Sequence, residues 1–215
     1  MKCLYQIADH KVYKFQMPVI LSNMYIVVGE NEAIVIDPCI SELAGRLLKE
    51  LNITRCKILL THEHFDHISG VNWLKELCDC RVLCSENCSN LICTPNKNGA
   101  KTFGALFLDR DSEARKIVDG LWSSDYGCYS DDVYVDEFMF QWQGLKIYLK
   151  EAPGHSKGGT LILINDKYLF TGDNYIPGEE VITRLPGGSK KEYLEKTKPL
   201  LDKYMQDCCI LPGHG

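Results

Sequence analysis

The segment Thr61-His62-Glu63-His64-Phe65-Asp66-His67 holds three of the six histidines of this 215-residue chain. If the backbone is extended there, His62 and His64 project to the same side, because alternate side chains of a strand share a face. Asp66 and His67 come where the chain turns into a helix, so they can face a second position beside the first. The pattern H-x-H-x-D-H therefore predicts two adjacent metal sub-sites. Imidazole and carboxylate are typical zinc ligands, and they also admit iron or manganese.

Two further histidines stand in turns of similar composition. His155 and His214 each end a Pro-Gly-His triplet that follows an apolar, strand-like stretch. Proline and glycine favour a tight turn and let a ligand lie close to the backbone at a sheet edge. Asp173 takes a comparable place after the apolar stretch 168–171. Four strand ends are therefore predicted to converge on one site, which leaves only His10 outside the set.

The sequence around these motifs alternates between strand and helix patterns. In the first half, apolar residues are concentrated in short runs in the predicted strands, and they recur at helical spacing in the predicted helices. The predicted elements are consecutive strands within 11–37, with apolar clusters at 19–21, 25–28 and 33–36, a helix at 41–51, a strand at 56–60 and a helix at 67–77.

The second half repeats the theme. Ser189 and Glu192 have the spacing of a capping box at the start of its helix. Two such halves facing each other predict an α/β fold, a four-layer αββα sandwich with helices outside two sheets. The predicted elements are strands at about 137–150, 160–165 and 168–171, a helix at about 189–203 and a strand at 209–211.

Residues at about 86–132 do not fit this alternation and are interpreted as an insertion in a single domain spanning residues 1–215. A helix is expected within it at 112–122. Its aromatic residues exceed what a solvated loop requires, so it must cover something. Two interpretations stay open: it seals an edge of the core, or it forms a lid over the site or a dimer contact. The aromatic residues are Phe103, Phe107, Trp122, Tyr126 and Tyr129.

Composition restricts the partners. The formal net charge of −5 gives no basic field for phosphate backbones or anionic lipid, which disfavours nucleic acid. The first residues lack an apolar signal segment and no stretch is long enough to span a membrane, so a cytoplasmic location is expected. The eleven cysteines are then expected to be reduced thiols in apolar gaps. The cluster at 78–93 lacks the paired C-x-x-C spacing of a zinc or iron–sulfur site and is left out of the metal prediction.

These motifs, in this order, resemble the metallo-β-lactamase superfamily over about residues 15–215. The resemblance implies two metal ions, a first held by three histidines, a second held by two histidines and an aspartate, and Asp173 bridging both. It implies that Asp37 orients the ligand loop from behind. The implied ligands are His62, His64 and His155 at the first ion and Asp66, His67 and His214 at the second.

Differences from known branches of this superfamily narrow the range of expected activities. True β-lactamases of this fold commonly place a cysteine ligand where this chain has Asp173, and they are exported, so antibiotic hydrolysis is disfavoured. Flavodiiron proteins replace the second histidine of the first motif by glutamate, whereas this chain keeps His64. The stretches 170–173 and 184–189 look most similar to glyoxalase II-like thioesterases. Those enzymes carry a further helical domain that this sequence does not include. Three explanations stay open: the substrate is different, the insertion binds the substrate instead, or the chain is truncated.

The mechanism implied is metal-assisted hydrolysis of a small-molecule substrate. Two divalent ions, with zinc as the first choice, are expected to hold hydroxide at neutral pH and to stabilise the negative charge that develops on the substrate oxygen. Asp66 is expected to orient the hydroxide, and Tyr175 is a candidate hydrogen-bond donor to the substrate oxygen. Lys157 and Arg184 are candidates for binding an anionic group.

The favoured substrate is a small thioester, ester or lactone. The alternatives are a phosphodiester, or a persulfide oxidised by a dioxygenase with one iron. A non-enzymatic binding protein is the last alternative, and the complete set of ligand positions speaks against it. The oligomeric state is left open.

Overall fold

Adjacent residues within one strand show that each sheet is buried on both faces. Successive side chains of a strand point to opposite sides, and Ile34 joins a core between two sheets while Val35 joins a core beneath helices. In the second sheet, Ile162 faces the first sheet while Leu163 packs with Leu201 of a helix. The computed structural model, which describes residues 3–215, therefore has four layers in the order helix, sheet, sheet, helix. The predicted αββα sandwich is confirmed.

The first sheet has seven strands, numbered β1 to β7, and they lie side by side in chain order. The first four are antiparallel, and the pairs from β4 onward are parallel. The strands are β1 (Tyr5–Ile7), β2 (His10–Gln16), β3 (Asn23–Val28), β4 (Glu32–Ile36), β5 (Arg55–Leu59), β6 (Asp79–Ser85) and β7 (Asp132–Tyr134).

The second sheet has five strands in the order β12-β11-β10-β9-β8. Only the β11–β12 pair is parallel. The strands are β8 (Glu137–Trp142), β9 (Leu145–Glu151), β10 (Thr160–Ile164), β11 (Tyr168–Gly172) and β12 (Cys209–Pro212).

The helices cover the outer faces of the two sheets. A 3₁₀ turn (Gly104–Phe107) follows α5, and a π-helical turn (Tyr193–Thr197) joins α7 to α8 into one continuous helix. One half of the predicted capping box is present at its start, where the Ser189 hydroxyl accepts the Glu192 N–H, whereas the Ser189 N–H donates to the Gly154 carbonyl. The helices are α1 (Glu42–Glu50), α2 (Phe65–Ile68), α3 (Val71–Leu77), α4 (Glu86–Ile92), α5 (Ala100–Phe103), α6 (Ser112–Leu121), α7 (Lys190–Glu192) and α8 (Lys198–Tyr204).

The structure corrects three local predictions. Residues 19–21 are not strand, because a tight turn with positive φ at Val19 and Leu21 reverses the chain there. The single helix predicted at 67–77 is two helices broken at Gly70, where a side chain would collide with the Cys39 backbone. Strands β1, β6 and β7 and helices α4 and α5 were not predicted.

The insertion predicted at about 86–132 packs onto the first sheet's outer core. Phe103 and Phe107 are buried in that core, and the Tyr126 hydroxyl donates to the Ile68 carbonyl over 2.6 Å. Tyr129 is exposed. Sealing an edge of the core is therefore one thing that the insertion does. The division of the chain into one domain plus an insertion stays a prediction.

The eleven cysteines carry free thiols, six of them buried, and most line the apolar cores as small side chains. Among residues 3–215, no helix is long and apolar enough to cross a bilayer.

Candidate metal centre

The predicted ligands follow strands that end at one edge of the sandwich. His62 and His64 follow β5, His155 follows β9, Asp173 follows β11 and His214 follows β12. Asp66 and His67 lie in the short helix α2 that opens directly after His64. The structure brings all seven of these side chains into one cluster.

The first group of donor atoms belongs to His62, His64 and His155. Their ligating nitrogens lie within 4.8 Å of one another, and Nε2 of His155 is 3.0 Å from Nδ1 of His64. Such spacing is what three ligands of one cation require, since each would stand about 2 Å from a zinc ion.

The second group belongs to Asp66, His67 and His214. Nε2 of His67 lies 3.4 Å from Oδ2 of Asp66 and 3.3 Å from Nε2 of His214. Nε2 of His214 lies 3.3 Å from the same Asp66 oxygen. These three donors also lie within 4.8 Å of one another.

Asp173 stands between the two groups. Its Oδ1 is 3.3 Å from Nε2 of His67, and its Oδ2 is 3.4 Å from Nε2 of His214. On the other side, Oδ2 is 3.6 Å from Nε2 of His155. A carboxylate that contacts both groups has the position of a bridging ligand.

A buried relay fixes the tautomers of two histidines. The Asp37 carboxylate accepts hydrogen bonds from the Thr61 N–H, the Thr61 hydroxyl and Nδ1 of His67. Because the Thr61 hydroxyl proton goes to Asp37, its oxygen accepts the Nδ1–H of His62 over 3.0 Å. The Nδ1–H groups of His62 and His67 therefore point away from the cluster, and Nε2 of each ring is directed towards it.

Backbone carbonyls orient two further histidines of the cluster in the same way. Nδ1 of His155 donates to the Ile182 carbonyl over 2.8 Å, and Nδ1 of His214 donates to the Ile20 carbonyl over 3.2 Å. Within the described residues, the buried Nε2 of His62 has no hydrogen-bonding partner. An unpartnered imidazole lone pair in a cluster of further lone pairs fits a divalent cation.

Electrostatics separate the two groups. Burial and the neighbouring imidazoles hold the pKa of His62 well below its usual value, and burial and His155 lower the pKa of His64 to about 4. Burial also lowers the pKa of His155. These three imidazoles are neutral at pH 7, which is the form that binds a metal.

The second group instead combines imidazoles with carboxylates, which favour each other's charged forms. Burial opposes charge on its members, but the carboxylates of Asp66 and Asp173 raise the pKa of His67 well above its usual value. Hydrogen bonds to the same two carboxylates raise the pKa of His214 to about 9 against the effect of burial. In turn, His67 holds the pKa of both buried carboxyls well below the usual value.

Gly213 of the second Pro-Gly-His turn shows why this position lacks a side chain. A Cβ there would overlap the Asp173 carboxylate and lie 2.9 Å from Cε1 of His67. The glycine therefore permits the close approach of His67, Asp173 and His214, as the composition of the turn predicts.

The sequence analysis did not identify several groups that hold the cluster in place. Thr61 and Glu63 lie inside the quoted motif, yet nothing in the pattern assigned them a role. Glu63 is buried, and its carboxylate accepts the Gly158 N–H over 3.1 Å, which fastens the loop after His155. The carbonyls of Ile20 and Ile182 act through the backbone, so their side chains give no signal.

Three predicted residues lie outside the cluster. The Tyr175 side chain packs with Leu201 and its neighbours and lines an adjacent cavity of about 750 Å³. Arg184 is exposed and lines the same cavity, and Lys157 is exposed. Their roles towards a substrate stay predictions.

Comparison with known proteins agrees with this geometry. The model of the metallo-beta-lactamase superfamily matches residues 17–205. The chain belongs to the metallo-beta-lactamase superfamily. The resemblance inferred from the motifs is confirmed, and members of this superfamily use divalent metals.

Relatives and solved structures are similar over nearly the whole chain. "Probable metallo-hydrolase YqgX" of Bacillus subtilis is 26% identical over 93% of this chain and 89% of its own length. The hydroxyacylglutathione hydrolase GloC of Haemophilus influenzae is 25% identical over 86% of this chain and 81% of its own length. The crystal structure of the B3 metallo-beta-lactamase BLEG-1 superposes with a TM-score of 0.74, at 23% identity and over 95% and 91% of the two chains. At that identity, the superposition shows the fold alone.

Proposed function

We propose that this member of the superfamily is a binuclear metal-dependent hydrolase of small thioesters, esters or lactones. The observation that carries the proposal is the pair of donor groups on either side of Asp173. Each group offers three donor atoms, imidazole nitrogens or carboxylate oxygens, that lie within 4.8 Å of one another, and Asp173 contacts both groups. Two divalent cations, with zinc as the first choice and iron or manganese as alternatives, fit this donor set.

The proposed ligands follow the two groups. His62, His64 and His155 would hold one cation, Asp66, His67 and His214 would hold the other, and Asp173 would be shared by both. When bound, the two cations supply Lewis acidity and lower the pKa of water, so that hydroxide is available at neutral pH.

The chain's own residues orient the reactants. Asp66 has a buried carboxylate beside Asp173 that can accept a hydrogen bond from the attacking water. Asp37 and Thr61 keep His67 and His62 in one tautomer and orientation, so the donor atoms need not reorganise during turnover. Hydroxide adds to the carbonyl carbon, and the thiolate or alkoxide then leaves. Tyr175 is retained as a predicted donor of a hydrogen bond to the substrate oxygen.

The named relatives support hydrolysis. YqgX and GloC are both named as hydrolases, and each is similar to at least 86% of this chain. The wider proposal includes a single domain over residues 1–215 and a cytoplasmic location.

A substrate panel tests the reaction class. Purified enzyme reconstituted with zinc is assayed with an aryl ester, a thioester, a lactone and a bis-aryl phosphodiester at equal concentration. The proposal expects the largest kcat/KM among the carbonyl substrates, and loss of that activity in Asp66→Asn. Turnover of the phosphodiester alone would overturn the proposal in favour of a phosphodiesterase.

Metal analysis tests the alternative chemistry. The protein is expressed in medium with balanced zinc, iron and manganese, and its metals are counted after purification without chelators. Two cations per chain are expected. One iron per chain, together with oxygen consumption on a persulfide, would favour the dioxygenase instead.

A further inference from the structure

Directly over the metal centre lies a pocket of about 360 Å³. It is lined by His64, Asp66, His155 and His214 of the two donor groups and by Asp173 between them. Anything that fills the pocket therefore touches the position where the proposed hydrolysis takes place.

The roof of this pocket comes from the insertion. Residues between 96 and 106 line the pocket together with the loop that contains Ile182, Leu185 and Pro186. The lining includes the large apolar side chains of Phe103, Leu106, Ile182 and Leu185, and the insertion also contributes the polar residues Asn96, Asn98 and Thr102. Among the described residues, Lys97 is the only charged one on the pocket wall outside the donor groups and Asp173.

Several of these apolar side chains are open to water. Leu106 is 65% exposed, Ile182 is 45% exposed and Leu185 is 38% exposed. Large apolar side chains grouped at the mouth of a catalytic pocket gain from being covered by an apolar part of a ligand.

The roof is held rigidly against the metal-binding motif. The Phe65 N–H donates to the Asn98 carbonyl over 2.8 Å, and the Phe65 and Phe103 rings pack at 4.7 Å between centroids. Asn98 is fully buried, and its side-chain amide donates to the carbonyls of Ile92 and Tyr126. Because Phe65 stands between His64 and Asp66, these contacts join the roof directly to the segment that carries the predicted ligands.

We infer that this roof is an acyl-binding wall, and that the substrate carries an apolar acyl chain of medium length. The inference rests on the proposed hydrolase function and names its substrate class. A fixed roof and a volume near the lower end of ligand pockets, about 300–1,000 Å³, limit the chain length. A ligand that places several negative charges along the roof is disfavoured, because Lys97 alone among the residues there carries a compensating positive charge.

A series of thioesters with one leaving group tests the inference. N-acetylcysteamine thioesters of acetyl, butanoyl, hexanoyl, octanoyl and dodecanoyl groups are compared by kcat/KM. We expect kcat/KM to rise by about two- to fourfold per methylene up to hexanoyl or octanoyl, and to fall at dodecanoyl. A flat series would overturn the inference and leave the hydrolase in place.

Two leucines of the insertion provide a matched pair of variants. Leu106 lines the pocket, whereas Leu108, which is 62% exposed, does not. We expect Leu106→Ser to lower the octanoyl-to-acetyl ratio of kcat/KM by about fivefold and Leu108→Ser to leave the ratio unchanged. Equal ratios in the two variants would contradict the inference.

Binding without turnover gives an independent readout. Octan-2-one, which cannot be hydrolysed, is titrated calorimetrically into metal-depleted protein with acetone as the comparison. We expect binding of octan-2-one alone, a negative heat-capacity change and weaker binding in Leu106→Ser. Absence of octan-2-one binding would contradict the acyl-binding wall, whereas absence of turnover for every thioester would overturn the proposed function and this inference with it.

Discussion

Nδ1 of His67 lies 2.9 Å from Oδ2 of Asp37, and both groups are almost fully buried. The same carboxylate accepts the backbone N–H and the hydroxyl of Thr61, which in turn accepts Nδ1–H of His62. One residue outside the donor groups thus orients a histidine in each of them. Replacing Asp37 should therefore weaken metal binding at both sub-sites.

Asp37→Ala is expected to weaken metal binding by about 10–100-fold, because His67 and Thr61 lose the acceptor that orients them. Competition with a chromogenic chelator measures the affinity. Asp136→Ala is the matched control, since Asp136 also has a positive φ but carries an exposed carboxylate. Equal affinities in the two variants would contradict the relay.

Thr61→Val removes the hydroxyl that links Asp37 to His62, while Thr61→Ser keeps it. Because the site is buried, the valine variant leaves a polar hydrogen without a partner, and we expect a loss of about 1–3 kcal/mol in the free energy of unfolding. The serine variant should lose less and should retain metal affinity. Urea unfolding of both variants provides the comparison, and a valine variant as stable as the serine variant would argue against the relay.

Gly213→Ala is expected to destabilise the protein by about 1–3 kcal/mol and to weaken metal binding, because its Cβ overlaps the Asp173 carboxylate. Gly120→Ala is the matched control. Gly120 lies in α6 with open space where a Cβ would stand, so alanine should stabilise the helix by about 0.5–1 kcal/mol. Thermal unfolding in the presence and absence of zinc separates the two effects.

The two sub-sites should differ in their dependence on pH. His214, whose pKa is raised to about 9 by the Asp173 and Asp66 carboxylates, holds a proton at pH 7 that a cation must displace. His67, whose pKa the same carboxylates raise well above its usual value, holds a second proton, so affinity at that sub-site should rise steeply between pH 6 and 9, by up to about a hundredfold per pH unit while both protons are held. His64, with a pKa of about 4, is already neutral there, so the first sub-site should change little. Calorimetric zinc titrations at pH 6, 7, 8 and 9 measure both, and parallel pH profiles would contradict the assignment.

Much of the metal centre could be predicted because its ligands are side chains in recognisable turns. H-x-H-x-D-H, the two Pro-Gly-His triplets and Asp173 each carry a local signal, and the fold brings them together at one edge. The sandwich was predictable for a similar reason, since strand and helix periodicities differ. The helix break at Gly70 was not, because it depends on the Cys39 backbone packing against the glycine.

Other features depend on tertiary contacts that leave no pattern in the chain. The carbonyls of Ile20 and Ile182 orient His214 and His155 through backbone atoms that every residue has. Residues at about 86–132 were interpreted as an insertion because they break the alternation of strands and helices, but their position beside the donor groups depends on tertiary contacts such as the hydrogen bond from the Phe65 N–H to the Asn98 carbonyl.

Metal content per chain, measured by plasma mass spectrometry on wild-type protein, His155→Ala and His214→Ala, tests the central claim most directly. His10→Ala is the control, because His10 bonds to the carbonyls of Val28 and Gln143 far from the cluster. We predict two zinc ions per chain in the wild type and in His10→Ala, and one in each of the other variants after dialysis against a weak chelator. Wild-type protein that retains no metal, or His155 and His214 variants that both retain two ions, would contradict the binuclear centre.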